Sequence, residues 1–396
     1  MKSYILAIGL MMAINFAIAG TKDPNDPVRS KTFSKSFPLD GNDKVNLNNR
    51  YGEMLIKTWD KKEIRVDIDI KAYSKDEADA QRLVDGTVIT ADKSGDQVSF
   101  KTNFATESGK SGASFRNGKT ISRREIRVNY VVYMPATNAL TLSNQYGNVN
   151  IGSFSGALIA KVQYGSLTVG NLKNASNILE IQYGFTKIQE INAATIKQQY
   201  GAGLNIGTIG SLNLEAQYAG VTIGTIKWDA VVKQQYGPGL DIGRVSNLDL
   251  NVQYANVKLG TVIGDANIKQ QYNKLSIGSV NTLNLKSQYT TVAIGNLNGP
   301  GNFGVAYGKL TVEQIGSGCK NLNLLSSYSH TSLKFSDNYQ GNFELRTSYS
   351  PFKAGAGVSS KLVAEKGNIK NYAGTIGNGG GAQIMLKADY GSLNLN

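Results

Sequence analysis

The chain has 396 residues, 41% of them hydrophobic, with 44 glycines, 20 tyrosines, 7 prolines and a formal charge of +13. Apolar residues recur too regularly for a disordered chain, and the glycine and tyrosine content fits many short strands joined by tight turns. The length accommodates two or three ordinary domains, or one solenoid with a cap. Cys319 is the only cysteine, which excludes an intrachain disulfide and leaves packing and ladder hydrogen bonds to hold the fold. A basic balance favours anionic partners. The lysines and arginines are scattered, however, with no basic run and no nucleic-acid motif, so the expectation is a solvated basic surface and no nucleic-acid partner.

In chain order, residues 1–19 read as a signal peptide: Lys2 supplies the charged start, Ile5 to Ala19 the apolar run, and Ala17-Ile18-Ala19 the cleavage site. The run is short for a membrane span and a polar stretch comes directly after it. No second segment is long enough to cross a bilayer, so no transmembrane span is expected in the mature chain. Residues 20–27, with Asp23-Pro24 and Asp26-Pro27, read as a linker.

Residues 28–135 read as a small β-rich unit with one helix. Val45, Leu47, Asn49, Tyr51, Gly52, Met54 and Ile56 repeat the spacing of Leu140, Leu142, Asn144, Tyr146, Gly147, Val149 and Ile151, so this unit contains a diverged copy of a motif that recurs from Leu140 onward. Ile64, Val66, Ile68 and Ile70 alternate as in a half-buried strand. The helix is expected over Ser74 to Val84, with a capping box of Ser74 and Glu77 and a stop at Asp85-Gly86. Strands are expected at Val88 to Thr90, Val98 to Thr102 and Arg127 to Met134. The Gly-, Ser- and Lys-rich stretch from Ala105 to Lys119 reads as a loop or hairpin tip.

Residues 136–396 read as a β-solenoid repeat domain. Gln-Tyr-Gly and its variants return with tyrosines 17 to 19 residues apart from Tyr146 to Tyr307, and a fixed period of this size marks stacked coils. Before Tyr164, apolar residues stand two, four and six places back (Val162, Ala160, Leu158); after it, three, five and eight places on (Leu167, Val169, Leu172). The phase slips by one at the tyrosine–glycine pair. Both apolar sets stay inside only if the chain bends there, with glycine expected to supply the unusual backbone angles and tyrosine to wedge the corner from within. Coils of about 18 residues should then pair like with like in parallel.

A two-rung alternation is superimposed on this period. Positions two before the tyrosine read Gln198, Ala216, Gln234, Val252, Gln270 and Ser287, and positions six before it alternate Ala and Leu in compensation. Gln198, Gln234 and Gln270 should therefore point inward and be hydrogen-bonded there. After Ile315 the spacing loosens, Gly374 to Ala382 reads as a loop, and Tyr390-Gly391 restores the motif. With no amphipathic helix over the last coil, a bare parallel edge and self-association through the C-terminal coil are expected.

No chemistry-bearing constellation stands out. Cys319 and His330 lie in loop-like sequence without a Cys/His signature. Asp241 is solitary among the outward repeat positions, and neither a metal-ligand pattern nor a cofactor loop is present, so no catalytic residue, metal or cofactor is expected. What remains is the outward glutamine of each repeat: Gln163, Gln182, Gln199, Gln217, Gln235, Gln253, Gln271 and Gln288, with Gln145 before them. Stacked, these amides either bond along the ladder as a structural device or form a flat polar face for a repetitive polymer such as a glycan.

Asn49-Arg50-Tyr51-Gly52, Trp59-Asp60-Lys61, Tyr133-Met134-Pro135 and Leu142-Ser143-Asn144-Gln145-Tyr146-Gly147, in that order, resemble a β-strand-repeat family of unknown function from Gram-negative envelope proteins, whose relatives are often labelled adhesins. The resemblance implies a right-handed parallel β-helix in the periplasm or at the cell surface, with envelope glycan or another surface macromolecule as partner, and carries no catalytic residues. Three functions stay open: a non-enzymatic macromolecule-binding solenoid, a carbohydrate-active enzyme on a β-helix scaffold, and a structural element that self-associates.

Overall fold

The structure, a computed structural model, describes residues 27–105, 112–116 and 119–396, with side chains left out over 112–123. The expected signal peptide, most of the linker and part of the loop after Ala105 lie outside the described residues. The chain is mainly β, a solenoid with coils of about 18 residues. Among the described residues one helix occurs, and none is long and apolar enough to cross a membrane. The chain divides into two compact units, residues 1–187 and 188–396.

In the first unit the diverged copy is a true rung. Lys44–Arg50 pairs in parallel with Ala139–Gln145, from Lys44↔Ala139 to Arg50↔Gln145, and Met54–Trp59 pairs with Val149–Ile151. Leu158–Gln163 stacks next on Ala139–Gln145 and carries Asn177–Gln182. Beyond the first rung each sheet adds one more parallel strand and then continues antiparallel. Lys44–Arg50 pairs in parallel with Gln97–Phe104, which pairs antiparallel with the preceding strand Thr87–Ser94. Met54–Trp59 pairs with Lys119–Pro135, then Glu63–Tyr73, then Arg29–Pro38.

The helix, Glu77–Asp85, packs on Glu63–Tyr73 and Arg29–Pro38, burying Ala80 and Val84. Its N-cap is Asp76, whose carboxylate accepts from Ala78 N at 2.9 Å, and not Ser74. Ser74 instead donates to Asp79, the acceptor for Arg124, and so fixes the first turn to the neighbouring strand. An aspartate two residues before the first free amide caps it directly, which makes the Ser74–Glu77 box redundant.

The interior obeys the expected alternation. Leu158, Ala160, Val162, Leu167, Val169 and Leu172 are all buried. In the second unit, Leu212 lies against Ala230 and Ala216 against Gln234, while Leu248 meets Ala266 and Val252 meets Gln270, so large and small alternate along the stack. Gln234 is fully buried, and its Nε2 donates to the carbonyls of Ala219 and Gly239 at 3.1 Å. Gln270 does the same for Ala255, Tyr272 and Lys274. Each inward amide thus ties the carbonyls of a corner that the strand ladder leaves over. The parallel offset is 17 to 19 residues, so the physical coil is one rung and the two-rung alternation is a packing rhythm within it.

Two corrections concern the corner and the end of the stack. The residue in the left-handed region is the tyrosine, with φ between 48° and 66° at every rung, while the glycine after it keeps ordinary angles. Where glycine stands there it serves another purpose: a Cβ on Gly165 would lie 2.0 Å from the carbonyl oxygen of Gly147 on the rung below, whereas other rungs accommodate Ala219, Ala255, Asn273 or Thr290 at this place. The C-terminal coil is also no edge. Ala382–Asp389 is inserted between Asn321–Ser327 and Gly341–Ser348, parallel to both, and Ser392–Leu395 lies between His330–Phe335 and Phe352–Ala354. Gly341–Ser348 then pairs antiparallel with Ile369–Ile376, and that strand with Val358–Lys366, the outermost and almost wholly exposed. Self-association through the C-terminal coil therefore has no free strand to use.

This packing makes three predictions. Gly165→Ala should cost about 1–3 kcal/mol, the range for overpacking a closed site, whereas Gly152→Ala, with nothing within 4 Å of its Cβ, should be neutral; urea denaturation midpoints compare them. In hydrogen exchange, amides of 382–389 should be protected like those of 321–327, and amides of 358–366 should exchange first. In the first unit, Asp43 accepts from Lys93 Nζ at 2.6 Å and Asp40 N at 2.8 Å, which holds its carboxyl below the usual range. Its stabilising contribution is present above the unfolded value and lost as pH falls through the lower folded one. Asp43→Asn should flatten the acid limb of stability of the full chain against pH.

Candidate functional face

Each corner presents the same local arrangement. The strand before the tyrosine alternates in and out, which would turn the ring inward. The left-handed backbone at the tyrosine instead turns the ring to solvent. The ladder tyrosines are 42–57% exposed, apart from the half-buried Tyr51 and Tyr272. The expected core wedge is thus an external ladder. The rings of Tyr146, Tyr164 and Tyr183 stack at 4.8 and 4.7 Å between centroids, within 5° of parallel. In the second unit the stack runs from Tyr200 through Tyr328, then to Tyr390 and Tyr349, tracking the inserted coil and not the sequence order. Tyr254 and Tyr272 come closest, at 4.4 Å, and the hydrogen bond between their hydroxyls raises the Tyr254 pKa.

Stacking at this distance covers both faces of every inner ring. A sugar cannot lie flat on them, and only ring edges and hydroxyls are offered to solvent.

From Tyr146 to Tyr289 the residue before the tyrosine is a half-buried glutamine, and the row is bonded along the stack in two runs within the second unit and one in the first. Gln145 donates to Gln163 at 2.8 Å and Gln163 to Gln182 at 3.1 Å in the first unit. In the second, Gln199 donates to Gln217, Gln235 to Gln253, Gln253 to Gln271 and Gln271 to Gln288, at 3.1–3.5 Å. An amide has two donor hydrogens and two acceptor lone pairs. Gln163, Gln253 and Gln271, which each accept and donate once along the ladder, keep one N–H and one lone pair, while among the described residues no bond joins Gln217 to Gln235.

Two residues before each glutamine, on the same outward side, stand Lys197, Glu215, Lys233, Asn251, Lys269 and Lys286, with Lys269 opposite Lys286 on adjacent rungs. Two further back, Asn302 donates to Asn284 and Asn284 to Asn267, at 3.4 Å. The face is therefore a set of parallel rows, each repeating once per coil.

The first rung departs from the pattern. Arg50 occupies the glutamine position, opposite Gln145. The sequence signal was the alignment of Asn49-Arg50-Tyr51-Gly52 with Asn144-Gln145-Tyr146-Gly147. Beside the start of the ladder lies a cleft of about 700 Å³, whose walls include Glu53, Glu125, Arg127 and Asn129.

The residues that could serve catalysis are spent elsewhere. Cys319 is buried in a turn, where burial pushes its thiol up to about 11. His330 Nδ1 lies 2.9 Å from Ser392 Oγ on the inserted coil. Asp241 is not solitary, with Lys258 Nζ at 3.6 Å. Among the described residues no group of three or more His, Cys, Asp or Glu is placed to hold a metal ion.

No family model matches this sequence, and no curated protein matches it. Among solved structures, the chain is similar to a "putative cell adhesion protein" from Clostridium sporogenes at 9% identity, covering 93% of this chain and 99% of that one, with a TM-score of 0.18. It is similar to a "putative lipid binding protein" from Parabacteroides distasonis at 9% identity, covering 92% and 96%, with a TM-score of 0.24. A "putative adhesin" from Bacteroides fragilis is similar at 7% identity, covering 92% and 97%, with a TM-score of 0.24. Overlap this loose lends this chain neither a partner nor a chemistry from any of those names.

Proposed function

We propose that this chain is an exported, non-catalytic binding protein of a Gram-negative envelope, periplasmic or at the surface, whose glutamine–tyrosine face holds an extended, repetitive polymer such as an envelope glycan. One observation carries this reading: along the glutamine rungs, Gln163, Gln253 and Gln271 each keep half of an amide beside a phenol edge, and the row repeats at one coil spacing. A polymer whose own repeat is commensurate with the coils can bond many rungs at once, so weak single contacts add. The N-terminal sequence supports export. Cys319 is buried with its thiol pKa raised, and among the described residues no third side chain bonds the far nitrogen of His330 to orient it toward Ser392, so the non-catalytic reading is preferred. The outermost strand, Val358–Lys366, has a bulge between Leu362 and Ala364 and carries Lys361 and Lys366, features that blunt an edge against pairing.

The test is a glycan array and affinity measurements with the intact protein and a Gln235→Ala/Gln253→Ala variant. Losing two hydrogen-bonding amides should weaken binding about tenfold, at about 1 kcal/mol or slightly less per bond. A Thr222→Ala/Lys258→Ala change on the other outward strand should not. Thermal midpoints for both variants separate loss of binding from loss of stack. Unchanged affinity in the glutamine variant would remove the face from consideration, and polysaccharide turnover by the intact protein would sink the non-catalytic reading.

A further inference from the structure

We infer that the first unit holds a discrete pocket for an anionic sugar residue, one bearing a carboxylate or sulfate, where Arg50 replaces the glutamine at the head of the row. The inference rests on the glycan-binding reading and narrows it to acidic glycans.

A second cleft, of about 570 Å³, opens on this side of the first rungs, and its volume falls in the range of ligand sites, roughly 300–1,000 Å³. Arg50 and Lys161 line it, and among the described residues its walls contain no carboxylate. The neighbouring 700 Å³ cleft, in contrast, holds Glu53 and Glu125. Of two clefts of similar size on one unit, only this one has the electrostatics to select an anion.

Arg50 is built for that role. Its guanidinium sits 4.5 Å from the centroid of the Tyr51 ring and 5.8 Å from that of Tyr146, and among the described residues it has no carboxylate partner. Packing over a ring face fixes the plane of the guanidinium and leaves its N–H donors at the rim, where they can take an oxyanion in a two-pronged contact. Lys161 has only an exposed pairing with Glu180 at 3.4 Å, a contact of little strength in water.

The rest of the wall suits a sugar ring. Gln145 and Gln163 bring their unspent amide groups to the cleft, and Phe104 packs edge-on to Tyr51 at 5.5 Å. Phe104 supplies an apolar surface that the stacked ladder rings cannot, because it stands outside the stack. Charge at one end, amides along one side and an aromatic wall form a composite that the uniform rungs further along do not repeat.

The full chain is titrated with polygalacturonate, dextran sulfate and uncharged dextran, then with monomeric galacturonate. Arg50→Gln restores the residue the repeat itself uses, so the stack should tolerate it. Arg50→Gln and Lys161→Gln should each weaken binding of the two acidic polymers tenfold or more and leave the thermal midpoint in place. Lys258→Gln/Lys334→Gln, which removes two exposed charges from the other outward strand of the second unit, should leave that binding intact. Equal losses in both sets would mean general charge attraction and overturn the pocket. Binding of uncharged dextran alone, unaffected by Arg50→Gln, would keep the glycan reading and overturn the pocket. If no polymer binds, the polymer reading fails by itself, and the pocket stands or falls on whether galacturonate binds in an Arg50-dependent way.

Discussion

The structure depends on a tyrosine held in the left-handed backbone region once per coil. For a bulky side chain that conformation costs about 1–2 kcal/mol. It lets the chain reverse at a corner while the strands on both sides keep their apolar residues inside. A parallel ring contact recovers about 0.5–1.5 kcal/mol beyond area burial, and the amide ladder beside it adds its own bonds, so strain and stacking are of the same size. The corner is stable because it is stacked, and an isolated coil would have no means to offset the strain. At rungs such as Gly147 and Gly165, glycine comes after the tyrosine because the carbonyl of the neighbouring rung occupies the place of its Cβ.

Stacking identical corners has a chemical consequence. Ring faces are spent on ring faces, and amides such as Gln163, Gln253 and Gln271 spend half their capacity on the neighbouring amides. The surface that results is regular but shallow, able to grip a regular partner and poor at holding a compact one. Distinct recognition needs a break in the regularity. The described first rung provides one, where an arginine in place of glutamine and the strands paired beyond it border two clefts of about 700 and 570 Å³, against one of about 190 Å³ beside Gln217 on the later coils.

Much of this was legible in the sequence. The period, the coil of 18 residues, the buried set around Tyr164 and the inward Gln234 and Gln270 all come from counting apolar positions. The direction of the tyrosine was not legible by alternation, because one left-handed residue reverses it. A subtler signal was available: interior positions vary from Leu to Ala to Gln along the stack while the ring never does, which suits like stacking on like better than filling a core. The place of the C-terminal coil was hidden for the opposite reason. Rungs so alike give Tyr390 equally good neighbours in Tyr328 and Tyr349, and sequence order does not dictate stacking order. The outward glutamines read as facing solvent and stand half-buried, and their mutual bonding was only one of two alternatives. The anionic cleft was visible only as an arginine out of pattern, because its walls come from strands about 50 and 100 residues apart in sequence.

The most direct measurement is the reactivity of the tyrosines in the folded protein. Nitration under native conditions, mapped by mass spectrometry, should modify rings along the ladder such as Tyr164, Tyr218 and Tyr254. It should spare Tyr130 and Tyr339, which are fully buried. Ladder tyrosines that react only after denaturation would place them inside the coils and contradict the corner on which the architecture and the proposed binding face both rest.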